Sequence, residues 1–129
     1  MTQRTATLPR VEEPGTARAA SVLAYLVTVH PGLPALHWSV TRAGALRGHC
    51  AENGVSARIR EVSAWSAALE VPVTVEVAHT GEHATASAST VVDGVDVEVY
   101  ALVYRTRGEA PSQLGSRVRS LVTLAGGAL

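Results

Sequence analysis

The chain has 129 residues, 47% of them apolar and only 4% aromatic, and its eleven arginines balance eleven acidic residues to a formal net charge of zero. A chain of this length forms one domain, whose core must be built from Val, Leu and Ala. A neutral chain lacks the basic excess that is usual in nucleic-acid-binding proteins, and a single cysteine, Cys50, excludes an internal disulfide.

The N-terminal part predicts an arm followed by a helix. Residues 1–15 are polar and contain two prolines, so we expect a disordered arm before a single domain over residues 16–129. Apolar residues then recur at helical spacing. They predict a helix over residues 17–30 that is capped by Thr16 and ended by a Pro-Gly pair.

A hairpin and a second helix follow. Apolar and polar residues alternate over 36–41, and a second extended run covers 45–50, which predicts two strands joined by a short turn. The apolar stripe that begins at Val55 predicts a helix ending near Glu70, because Pro72 disfavours a helical conformation of the residue before it.

The C-terminal half predicts three hairpin-connected strands and a helix. Valine alternates with polar residues over 71–77, and further strands are expected over 83–92 and 95–105. Asp93-Gly94 between them is the two-residue sequence that tight hairpin turns favour. The last apolar stripe predicts a helix over residues 112–125.

The predicted order α-β-β-α-β-β-β-α indicates an α+β fold. We expect a two-layer domain with a largely antiparallel five-stranded sheet and helices on one face. One side of the fourth strand carries only small residues, Ala84, Ala86 and Ala88, which predicts that a helix packs close against it.

The histidines and the cysteine are the candidates for chemistry. His79 and His83 flank a predicted hairpin loop, but a metal site needs three or four ligands and the sequence nearby supplies no third strong one. His49 and Cys50 are strand neighbours and so point to opposite faces. We find no nucleophile elbow, zinc-binding helix motif or phosphate-binding loop. We therefore expect no metal, cofactor or catalytic residue, with a small enzyme that uses histidines as an alternative.

Charge is unevenly distributed along the chain. Residues 70–98 hold six acidic residues and no arginine, whereas residues 105–119 hold four arginines and one glutamate. From residue 53 onward the predicted element order resembles that of double-stranded-RNA-binding domains, but the last helix begins Pro-Ser-Gln-Leu and not with a basic cluster. A nucleic-acid-binding regulator is therefore an alternative that we do not favour. Its contacts, or those of an acidic partner, would come from Arg105, Arg107, Arg117 and Arg119.

Three segments around the tryptophans carry a resemblance to a family. They are HPGLPALHWSV at residues 30–40, LRGH at residues 46–49 and the stretch 64–73. Together they resemble a pattern in small uncharacterised actinobacterial proteins of the Streptomyces type, over about residues 20–105. The absence of lysine and phenylalanine agrees with the GC-rich genomes of that group. The group has no assigned activity, so the resemblance implies source and compartment only. The alternative is a structural role, in which Trp38 and Trp65 pack together in the core.

The fifth strand supplies the candidate interaction surface. Tyr100, Leu102 and Tyr104 alternate on the side opposite its valines, and an exposed apolar row usually marks a contact surface. We therefore expect a non-catalytic interaction module, an adaptor or regulator, that forms a homodimer through this face. The N-terminal residues lack the apolar stretch of a signal peptide, and the longest apolar run, 22–29, is too short to cross a bilayer. The expected location is the cytoplasm.

Overall fold

The computed structural model describes residues 14–129, so most of the predicted arm, residues 1–13, lies outside the described residues. The described part is an α+β fold with three helices and five strands, in the predicted order. The helices are α1 (Pro14–Val29), α2 (Val55–Leu69) and α3 (Pro111–Leu124). The strands are β1 (His37–Val40), β2 (Leu46–His49), β3 (Thr74–Val77), β4 (His83–Val92) and β5 (Val95–Tyr104).

The first helix begins earlier than predicted. α1 starts at Pro14 and not at residue 17, so Thr16, the expected cap, lies in its first turn. Proline is compatible with that position because the first amides of a helix have no partner within it. The end of α2 agrees with the prediction: Glu70 follows the helix in the left-handed region at φ 60°, and Pro72 comes two residues later.

The five strands form one mixed sheet in the order β1-β2-β5-β4-β3. The pairs β1–β2, β5–β4 and β4–β3 are antiparallel. The pair β2–β5 is parallel, with His49 opposite Tyr100. The sheet is therefore mixed: the predicted largely antiparallel pairing holds for three of its four strand pairs, and the parallel pair was not predicted. Parallel neighbours need a long crossover connection. Here α2 and the β3–β4 hairpin supply it, and no local signal in the sequence announces which distant strand will be the neighbour.

Two details of the hairpins follow from backbone geometry. Asp93 and Gly94 both have positive φ, 49° and 78°, which is the conformation of a type I′ turn, so the predicted tight hairpin is confirmed. The strand predicted over 71–77 is shorter in the structure and begins at Thr74. Val73 lies outside the ladder and donates its N–H to the carbonyl of Ala128 at 2.8 Å.

Buried residues of the three helices and of the strands form one apolar cluster. Ala84, Ala86 and Ala88 are fully buried, and α2 contacts β4 and β5 while α3 contacts β3 and β4. The predicted close approach of a helix to the alanine side of β4 is therefore confirmed. Trp38 and Trp65 meet edge to face with ring centres 5.5 Å apart, so the two tryptophans do pack together.

The other side of the strands, which we call the open face, has no fully buried side chain. Its members follow from the strand registers. They are His37, Ser39, Arg47, His49, Thr74, Glu76, His83, Thr85, Ser87, Ser89, Val91, Asp96, Glu98, Tyr100, Leu102 and Tyr104.

Candidate functional site

Polar side chains surround Tyr100 at the centre of the open face. The ring of His49 stacks on that of Tyr100 with centres 4.9 Å apart and planes 11° from parallel. The guanidinium carbon of Arg47 lies 4.3 Å from the centre of the same ring, a distance at which cation–π attraction operates. The Arg47 Nε–H donates to Glu98 at 2.8 Å. Tyr100 is consequently half-buried under neighbours that β2 supplies.

The three residues of the predicted interface differ in exposure. Tyr100 and Leu102 are half-buried, whereas Tyr104 is 63% exposed. The Tyr104 ring lies 6.0 Å from that of His83 on β4. Exposed apolar side chains therefore occur at both ends of this face, Tyr104 at the end of β5 and Val91, 62% exposed, near the β4–β5 turn.

The partners of Tyr100 were not predicted from the sequence. Arg47 and His49 reach Tyr100 only through the parallel pairing of β2 with β5, and Arg47 and Glu98 are 51 positions apart. The alternation of polar residues within β2 indicates which side of the strand Arg47 and His49 occupy. It does not indicate which strand lies beside them.

The four arginines of the alternative site do not form an unopposed basic patch. Arg105 pairs with Glu82 at 3.2 Å. Arg117 makes two hydrogen bonds to the carboxylate of Glu109, at 2.8 and 3.0 Å. Arg107 and Arg119 form no ion pair with any residue in 14–129. Two carboxylates thus offset two of the four charges, which weakens the case for a nucleic-acid contact.

The Glu109–Arg117 pair predicts a specific dependence of stability on pH. The Arg117 side chain, aided by the N–H of Thr106, lowers the pKa of Glu109 from its ordinary 4.5 to about 2. The folded state therefore releases this proton more readily than the unfolded state, and the resulting stability is lost as pH falls from about 4.5 to about 2. We expect Glu109→Gln to unfold at a lower temperature than the wild type at pH 7, and the gap to close between pH 4.5 and pH 2. A thermal-unfolding series would contradict this if the gap did not change with pH.

The surroundings of Cys50 do not favour nucleophilic chemistry. Cys50 is buried. The pKa of its thiol is raised to about 12, mainly by burial and to a smaller extent by the nearby charge of Glu61. A thiol protonated at neutral pH is a poor nucleophile. The pKa of Glu61 is itself raised by burial and by Glu52, and His37 opposes the shift. Within residues 14–129, no three histidine, cysteine or acidic side chains converge in a way that would hold a metal ion.

A shallow groove of about 450 Å³ crosses the open face at the end nearest the β4–β5 turn. Side chains of both charges contribute to its walls, together with an exposed valine. These are Arg47, Ser89, Val91, Asp96 and Glu98. The groove extends the polar surroundings of Tyr100 and is separate from the Tyr104 end of the sheet.

Comparison with family models, curated proteins and solved structures gave no match. The resemblance to small actinobacterial proteins therefore stays a prediction. None of the helices in residues 14–129 has both the length and the hydropathy needed to cross a bilayer.

Proposed function

We propose that the chain is a two-layer domain that acts in the cytoplasm as a small non-catalytic interaction module, an adaptor or regulator. Its contact surface is the Tyr104 end of the open face. The observation that carries the proposal is the 63% exposure of Tyr104 next to the half-buried Leu102 and Tyr100. Tyrosine is enriched at protein interfaces because its ring is apolar and its hydroxyl tolerates water.

A second copy of the chain is the partner that we propose for this surface. A two-fold axis places the same patch on both subunits, so Tyr104 of one copy would cover the open face of the other. Arg105 and Glu82, which pair at 3.2 Å beside Tyr104, lie where they would form the polar rim of such a contact. Rim charges of opposite sign favour orientation and association rate more than affinity.

The oligomeric state and its response to one substitution test this proposal. We expect a dimer in sedimentation or light scattering at micromolar concentration, and Tyr104→Ser to weaken it at least about tenfold, as expected for an aromatic residue at the centre of an interface. The matched control is Tyr25→Ser, because Tyr25 is 58% exposed but lies on α1. A wild-type chain that is monomeric throughout, or an equal effect of the two substitutions, would contradict the proposal.

A further inference from the structure

The outer edge of β3 is the strand edge that faces away from β4. Thr74 pairs with Ser87 and Glu76 with Thr85, and Ala78 in the same register donates its N–H to the carbonyl of His83 at 2.9 Å. Hydrogen-bonded and non-hydrogen-bonded pairs alternate in an antiparallel ladder. The N–H and C=O groups of Val75 and Val77 therefore point outward.

The chain itself shows that this edge accepts a neighbouring segment. Backbone direction alternates along an extended segment, so the N–H of Val73, two residues before Val75, also points outward. It donates to the carbonyl of Ala128 at 2.8 Å. The carbonyl of Ala128 thus already occupies an outward N–H immediately before β3 begins. The next two outward-facing residues, Val75 and Val77, continue the same line.

The side chains along this edge favour a basic neighbour. Glu76 is exposed in the middle of β3 and Glu70 is exposed just before it. No arginine occurs between residues 70 and 98, and Arg119 of α3 approaches Gly115 beside Val77, on the helix side of β3 and not on the side of Glu76. In an added antiparallel strand, the residue opposite Glu76 would form a non-hydrogen-bonded pair, in which side chains approach most closely. An arginine or lysine there gains from the opposite charge, and an acidic residue is repelled.

A second copy of β3 does not fit the same edge. Two-fold pairing centred on Glu76 would place the two Glu76 carboxylates directly opposite each other, which is destabilising. Two-fold pairing centred on Val75 would require the Val73 N–H, which already bonds to Ala128. Two-fold pairing centred on Val77 would set Val75 opposite His79, which lies in the turn after β3. The edge therefore calls for a different sequence.

We propose that the outer edge of β3 binds an extended basic segment of a partner protein. The segment adds as an antiparallel strand, bonds to the outward N–H and C=O groups of Val75 and Val77, and places an arginine or lysine opposite Glu76. Main-chain hydrogen bonds supply affinity in this mode of recognition, and the side chains supply specificity. This surface is distinct from the Tyr104 end of the open face and does not depend on dimer formation.

The probe is the capped peptide acetyl-Arg-Thr-Val-Arg-Val-Thr-amide, which stops opposite Thr74 and leaves the Val73–Ala128 bond intact, compared with the same peptide in which glutamate replaces each arginine. Amide NMR resonances of the full chain report the binding. We expect saturable shifts and slower hydrogen exchange at Val75 and Val77 with the basic peptide, and at least about tenfold weaker binding of the acidic one. The absence of a saturable shift at millimolar peptide, or equal binding of both peptides, would overturn the proposal. So would shifts of these two amides that depend on protein concentration alone, because they would indicate self-pairing.

Two variants separate the edge from the rest of the molecule. Glu76→Lys, on an exposed site, is expected to reverse the preference so that the acidic peptide binds more tightly. Asp96→Lys, the same kind of change on an exposed site of β5, is the matched control and should leave the preference unchanged. Val75→Pro removes an outward donor, a change that edge strands tolerate, and should weaken binding of the basic peptide about tenfold. An unchanged preference in Glu76→Lys would refute the proposed pairing.

Discussion

Replacing Trp65 by alanine is expected to lower the free energy of unfolding by about 3–5 kcal/mol. The side chain is 2% exposed and lies edge to face with Trp38 at 5.5 Å and with His30 at 6.1 Å. Its indole N–H also donates to the carbonyl of Pro34 at 3.0 Å. Alanine would leave a large cavity and remove three contacts at once. Domains of this size are stable by only about 5–15 kcal/mol, so the variant should lose a large share of its stability and unfold at a markedly lower urea concentration.

The matched variant is Trp65→Phe, which keeps an aromatic ring but has no N–H to donate. It should lose about 1–3 kcal/mol, the usual cost of a buried acceptor that loses its donor. Urea unfolding followed by far-ultraviolet circular dichroism gives both values. A loss below about 1 kcal/mol for Trp65→Ala would show that this cluster is not central to the core.

Replacing Ala86 by leucine is expected to cost about 1–3 kcal/mol through overpacking. Ala86 is fully buried and lies between Val75 on β3 and Ala101 on β5. It belongs to the side of β4 that α2 and α3 approach. A leucine there must displace a helix or take a strained rotamer, because protein interiors are close-packed.

The neighbouring residue provides the control. Ser87→Leu makes the same replacement one position along β4, where the side chain lies on the open face and is half-buried. Surface substitutions usually change stability by less than about 0.5 kcal/mol. Equal losses for the two variants, measured by urea unfolding, would show that both sides of β4 are closely covered.

Features that depend on neighbouring residues were predictable from the sequence. The Asp93-Gly94 turn needs two positive φ angles, and few residue pairs adopt them readily. The run of alanines in β4 predicted the close approach of a helix, because side-chain direction alternates along a strand. The strand predicted over 71–77 was too long, because the ladder with β4 begins at Thr74. The next residue whose N–H would face β4 is Pro72, which has no N–H to donate.

Features that depend on distant contacts were not predictable. Nothing in residues 46–49 indicates that this strand will lie parallel to β5, since hydrophobic alternation is the same for parallel and antiparallel neighbours in a short strand. The surroundings of Tyr100 depend on that pairing. Glu109 and Arg117 are only eight positions apart, but that spacing alone does not predict the two hydrogen bonds between their side chains. Those bonds depend on the turn that precedes α3.

The parallel pairing of β2 with β5 also has a consequence for the order in which the molecule folds. β3, β4 and β5 are joined by short turns, so their contacts close small loops, whereas β2 must find a neighbour about fifty residues away. Loop-closure entropy grows with the length of chain enclosed, and contacts between distant residues slow folding. The β3–β5 meander can therefore assemble first as a template, and the β1–β2 hairpin docks onto it late. The hairpin is attached to the sheet through β5 alone, so it can separate without disturbing the β3–β5 ladder, but only by breaking the Trp38–Trp65 contact.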